Sequence, residues 1–189
     1  MPVTTETPRL PLWRMMFGLA LDPGGALRRH LDDVPLAQAF AIPGMAFALF
    51  FLQTGLDRSR SGQLDGAGVG MLVLAGLVFG TLGVALVALA GWSAIRLLGG
   101  QAGMAEALRS FALSYSPTLI YTLVGIAFSM AFGWHTAVAF GVTGVLWALA
   151  PMSAAAREML GGRQWPAIAV ATLCGMLVLI GWARLEALV

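Results

Sequence analysis

Between Ser110 and Ala156 the chain reads SFALSYSPTLIYTLVGIAFSMAFGWHTAVAFGVTGVLWALAPMSAAA, 47 residues without one Asp, Glu or Arg. A helix needs about 20 apolar residues to cross a hydrocarbon core of roughly 30 Å, so this run is long enough to cross twice. Its natural break is Gly133-Trp134-His135-Thr136, where a helix-weakening glycine, an interface-seeking tryptophan and a polar imidazole come together. Three shorter runs also lack charge, Val34 to Leu56, Gly66 to Ile95 and Gln164 to Ala183, and each suits one crossing. The sequence therefore predicts an all-α polytopic membrane protein, a bundle of five transmembrane helices at about 35–56, 70–95, 111–132, 137–156 and 164–183. Residues 1–33 form a cytoplasmic or interfacial N-terminal segment, and 34–189 form the transmembrane domain.

Composition agrees with lipid as the main solvent. Hydrophobic residues make up 59% of the chain and charged residues 11%, whereas roughly a quarter of the residues of an ordinary globular domain are charged. All eleven basic residues are arginine, which together with abundant alanine and glycine points to a GC-rich bacterial genome. The net charge of +2 does not imply nucleic acid, because the arginines are scattered and flank apolar runs. Counting them by side orients the bundle. Arg9, Arg14, Arg28, Arg29, Arg96, Arg109, Arg157 and Arg163 fall on one side, and Arg58, Arg60 and Arg184 on the other. The positive-inside rule then places the N-terminus in the cytoplasm and the C-terminus outside, across a bacterial inner membrane. No secretory signal is expected, since the first long apolar run begins only at Val34.

Ahead of that run, Asp22-Pro23-Gly24-Gly25 is a strong turn signal. Leu12, Trp13, Arg14, Met16, Phe17 and Leu19 precede it and suit a short helix lying in the headgroup plane, with Trp13, Arg14 and Phe17 as anchors. The plainer reading is a partly ordered tail. Within the spans, Gly76 and Gly80 form a GxxxG pair continued by Gly83, and Gly141 with Gly144 repeats the theme. Small residues at this spacing let two helix backbones approach closely. The contact is either between neighbouring spans of one chain or between two copies of it.

Chemistry-bearing groups are sparse. No carboxylate or arginine lies inside a predicted span, although proton relays and ion-coupled transporters generally need such groups. Metalloprotease HExxH, nucleophile-elbow and P-loop spacings are missing, and His30 and His135 are expected on opposite sides of the membrane. His135 reads most simply as a loop residue, and Asp32 and Asp33 as helix caps or solvated groups beside Pro35. Cys174 is alone inside an apolar run, so it supports neither a disulfide nor a thiolate metal site within one chain. No catalytic group, metal or small-molecule cofactor is expected. Polarity concentrates in span three, at Ser114, Tyr115, Ser116, Pro117, Thr118, Tyr121 and Thr122. Pro117 cannot donate to the carbonyl of Leu113 and should kink the helix, with nearby hydroxyls satisfying the freed group. Ser114, Tyr115, Ser116, Pro117 and Tyr121 are thus either a hydrogen-bonded joint or the lining of a groove for a lipid or partner.

Several segments together resemble the Yip family, the Ypt/Rab-interacting five-span membrane proteins, in its shorter prokaryotic form. They are Leu12-Trp13-Arg14 through Asp22-Pro23 to Leu31, the hairpin from Trp92 through Gly99-Gly100 to Phe111, and Ser114-Tyr115-Ser116-Pro117, which is similar to the family's Tyr and Pro near the start of span three. Eukaryotic members bind Rab-type GTPases and carry a longer cytosolic N-terminal domain, whereas only 33 residues precede the first run here. The resemblance accordingly implies topology and a non-enzymatic role as an interaction, organising or auxiliary subunit. The missing catalytic groups and the small-residue helix faces lead to the same expectation, with membrane lipids and other membrane proteins or a second copy of the chain as partners, through residues 10–33, 96–109 and 157–163. A small transporter or lipid-handling protein, using the polar stripe of span three, is the alternative.

Overall fold

A computed structural model of the protein describes residues 12–31, 34–133 and 137–188. Among the described residues every regular element is a helix: α1 (Leu12–Leu21), α2 (Pro23–His30), α3 (Leu36–Arg60), α4 (Gly66–Val78), a π turn (Phe79–Gly83), α5 (Val84–Leu97), α6 (Met104–Leu113), α7 (Ser116–Phe132), α8 (Ala137–Met159) and α9 (Gln164–Leu188). The π turn joins α4 to α5 without a break, and a two-residue turn at Ser114 and Tyr115 joins α6 to α7 in one stretch. Five helical stretches result that are long and apolar enough to cross a bilayer. The chain is a multi-pass membrane protein.

The helices overrun the charge-free runs at several ends. Helix α3 continues past Leu56 through Asp57, Arg58 and Arg60, and α6 begins at Met104, ahead of Glu106 and Arg109. The reason is physical. A charge-free run measures only the hydrocarbon-crossing part of a helix, whereas the backbone stays helical into the headgroup layer, where charged side chains reach water. Arg58 and Arg60 also sit in the last turn of α3, at the negative end of its dipole, which favours a cation.

The expected turn at Asp22-Pro23-Gly24-Gly25 is tighter than a loop. The Asp22 carboxylate accepts from the backbone N–H of Gly25 at 3.1 Å and Pro23 occupies the first turn of α2, so both glycines are already helical. Proline there costs no hydrogen bond. Arg9, Asp32, Asp33, Trp134, His135 and Thr136, together with the side chains of Arg29 and His30, lie outside the described residues.

Helix α3 is the central post. It packs against α4, the π turn, α6, α7 and α8, while α5 packs on α6 and α9, and α8 on α7 and α9. About 61% of the most apolar window of span one and of span three is buried within the protein, against 28% for span two, so the first and third crossings are inner and the second is largely turned outward. The outward face of span two carries Met71, Leu74, Leu82 and Leu86, side chains that lipid tails accommodate.

Close backbone approach holds the inner helices together. A Cβ at Gly76 would lie 2.6 Å from the carbonyl oxygen of Phe47, and one at Gly80 would lie 2.3 Å from that of Pro43. No side chain fits in either gap, so the GxxxG face of span two is covered by α3 of the same chain. Gly141 seats the ring of Phe50, which a Cβ would meet at 2.1 Å, and Gly144 lies against the backbone of Thr118. Gly83 differs, because its space admits the ring of Phe79 from its own π turn. Phe79 in turn meets Phe47 edge to face at 5.0 Å. A chain with five such crossings should remain in the pellet when membranes are washed with alkaline carbonate and should leave it only with detergent. Release by carbonate alone would contradict the architecture.

Candidate functional site

The polar segment of span three is a joint between two helices. Helix α6 ends at Leu113 and α7 begins at Ser116, so the chain interrupts the helix at Ser114 and Tyr115. Pro117 then falls in the first turn of α7, directly after the interruption, where its missing N–H is no loss. The freed carbonyl finds its partner as anticipated: Ser116 Oγ donates to Leu113 O at 2.7 Å. Ser114 Oγ donates to Ser110 O at 2.8 Å, Thr122 Oγ1 to Thr118 O at 2.8 Å, and Thr118 Oγ1 crosses to Gly144 O of α8 at 2.8 Å.

These hydroxyls are buried, as are Tyr115 and Pro117, and each donor is occupied by a backbone carbonyl. No open groove runs along the joint. The five candidates do not share a face either. Tyr115 turns toward Phe47 of α3, with ring centroids 6.1 Å apart, whereas Tyr121 packs on Phe140 and Trp147 of α8 at 5.1 and 5.5 Å. Nearby, Phe50, Thr118, Thr122, Gly141 and Trp182 help to enclose a cavity of about 10 Å³, room for roughly one water molecule. Among the described residues, the Tyr115 hydroxyl and Trp182 Nε1 are buried without a hydrogen-bond partner.

A second polar region, at the far end of α3, escaped the sequence reading. Gln53 and Thr54 are buried, Gln53 Nε2 donates to Gly125 O of α7 at 3.4 Å, and Arg60 Nη1 reaches both Asp57 Oδ1 at 3.6 Å and Ser129 Oγ at 3.4 Å. The Asp57 side chain is only 15% exposed, although it lies on the part of α3 just beyond the predicted span. An open recess of about 310 Å³ is bounded by Thr54, Asp57, Arg58, Ser61, Ala137 and Val138. Its signal was legible, since Gln53, Asp57 and Ser61 recur at four-residue spacing. Ending the span at Leu56 concealed it.

At the opposite end, the connections are tied to one another by arginine. Arg28 Nη1 pairs with Glu158 Oε1 at 3.0 Å, joining α2 to α8, and Arg109 Nη1 donates to Leu31 O at 3.3 Å, joining α6 to the end of the α1–α2 hairpin. Arg163 donates through Nε to Leu160 O at 3.0 Å and through Nη2 to Leu98 O, so one guanidinium holds carbonyls at the ends of both α8 and α5. Such C-terminal carbonyls have no partner inside their own helix. On α1, Trp13 and Phe17 are exposed, and the Arg14 guanidinium stands 5.2 Å from the centre of the Trp13 ring. Cys174 is buried beside Gly91 and Phe111, and no group of three His, Cys, Asp or Glu suited to a metal occurs among the described residues.

Fold and site together define a five-helix polytopic membrane protein with a sealed hydrogen-bonded joint, a polar recess at one end and an arginine-tied surface at the other. Compared with known proteins, the chain matches no family model, no curated protein and no solved structure.

Two substitutions at the joint separate its polar groups. Ser116→Ala leaves the buried Leu113 carbonyl unpaired and should cost about 1–3 kcal/mol. Tyr115→Phe removes a hydroxyl that bonds nothing and should be neutral or stabilising. Thermal unfolding of the detergent-solubilised variants checks both.

Proposed function

We propose that the chain is a non-enzymatic, Yip-like protein of a bacterial inner membrane, N-terminus cytoplasmic and C-terminus outside, that binds or organises other membrane components. The supporting observation is the arginine-tied end. Segments far apart in sequence, α1–α2, the α5–α6 connection and the α8–α9 connection, are joined by Arg28, Arg109 and Arg163 into one continuous surface. A rigid composite surface of this kind suits recognition of a partner, whereas the closed joint of span three offers a substrate no path. The arginine excess on this side favours its facing the cytoplasm. Membrane lipids and other membrane proteins are the partners in this reading, and nucleic acid and small-molecule cofactors have no part.

Purification from gently solubilised membranes, followed by mass spectrometry, is the test. A specific membrane protein should copurify and should be lost in an Arg28→Glu/Arg163→Glu double variant that remains folded. A chain that is always alone and monomeric would contradict the proposal. The recess beside Asp57 and Arg58 favours a second reading, a small transporter or lipid-handling protein. Its path would start at that recess and not along span three, and proteoliposomes that move neither solute nor lipid would remove it.

A further inference from the structure

Helix α1 is apolar on two opposite sides, which a helix serving only as a structural connection has no need to be. At 3.6 residues per turn, Met15 and Leu19 share one side and are buried, in a helix that packs on α2 and α7. Trp13, Phe17 and Leu21, spaced four residues apart, point the other way and are 57%, 53% and 86% exposed. More than half of each residue of the outer stripe is therefore left uncovered by the described residues of the chain. Beside it, Arg14 lies against the Trp13 ring at 5.2 Å, and Trp13 meets Phe17 edge to face at 6.5 Å.

The position of α1 and the chemistry of its stripe identify what covers it. Because α1 packs on α2, whose Arg28 pairs with Glu158 at the end of α8 and whose following Leu31 carbonyl accepts from Arg109 of α6, the stripe lies at the charged end of the bundle, where the spans leave the hydrocarbon and lipid is already present. Tryptophan prefers this depth, with its ring among headgroups and acyl ends. A guanidinium held on that ring carries five N–H donors and a fixed charge to the phosphate layer. The surrounding charge has the same sign: Arg28, Arg96, Arg109, Arg157 and Arg163 all lie at this end of the bundle. Of the acidic groups described nearby, Asp22 caps α2, Glu158 pairs with Arg28 and Glu106 caps α6.

We propose that α1 is a ridge that binds anionic phospholipid, with Trp13, Phe17 and Leu21 inserted at the boundary between headgroups and acyl chains and Arg14 paired with lipid phosphate. The ridge fixes the depth of the α1–α2 hairpin and makes it depend on the charge of the leaflet. It does so whether or not the chain also holds a protein partner.

The test uses the full chain in liposomes, with a nitroxide label on Phe17→Cys or Leu21→Cys. Native Cys174 is buried and takes no label in the folded protein. Collision with oxygen, which concentrates in lipid, is compared with collision with a water-soluble nickel chelate. In phosphatidylcholine containing phosphatidylglycerol, both labels should favour oxygen several-fold, while Arg157→Cys on the polar surface favours nickel. The oxygen preference should fall several-fold in phosphatidylcholine alone, and Arg14→Gln should produce the same fall in the mixed bilayer. Nickel-accessible labels in both bilayers would overturn the proposal, as would labels shielded from both reagents, which indicates a protein cover. An oxygen preference indifferent to lipid charge and to Arg14 would overturn its anionic selectivity.

Discussion

The carbonyls of Phe47 and Pro43 on α3 lie where Gly76 and Gly80 of span two have no side chain, and the arrangement of the bundle depends on this contact. In lipid, burying one apolar helix against another gains little from the hydrophobic effect, because the tails around it are equally apolar. Association must come from close packing, which falls off within a fraction of an ångström. Two glycines one turn apart supply it by letting backbone meet backbone. The π turn then brings Phe79 onto the Phe47 ring directly beside Gly80, and Gly181 of α9 leaves room for the same ring. Spans one, two and five thus meet around one aromatic side chain.

With α3 fixed, the other crossings find their places through a second constraint, the need to pair polar groups away from water. Breaking span three at Ser114 and Tyr115 would leave carbonyls exposed to hydrocarbon if serine were not there to donate to them. The same logic joins α7 to α8 through Thr118 and Gly144, where a hydroxyl reaches a carbonyl that a glycine has left accessible. Polarity in the third span therefore serves the backbone. The polarity of α3 beyond Thr54 has another character, since it faces a recess and includes charge.

Sequence revealed the crossings because the rule behind them is coarse: hydrocarbon excludes charge, and its thickness sets the length. It also identified the donors at the joint, because a proline in a membrane helix creates an acceptor that some hydroxyl must satisfy. The direction of side chains was not legible in the same way. Tyr115 and Tyr121, six residues apart, stand on different sides of α7, but nothing in the sequence names α3 as the neighbour of one and α8 as that of the other. Nor does a glycine pair announce its partner, as Gly76 and Gly80 would read alike whether they faced α3 or a second copy. The charged end of α3 was missed because absence of charge defined a span, although a helix outlasts the hydrocarbon by more than a turn.

The seam between α3 and span two is open to one decisive comparison. Gly80→Val places a side chain where a backbone carbonyl already lies, whereas Gly70→Val, one helix face away, meets open space. Thermal unfolding of both variants in the same detergent measures the difference. Gly80→Val should lower stability by about 1–3 kcal/mol or more, as overpacking of a tight contact does, with Gly70→Val close to the parent. Equal stability of the two variants would show that the bundle does not depend on this approach of backbones.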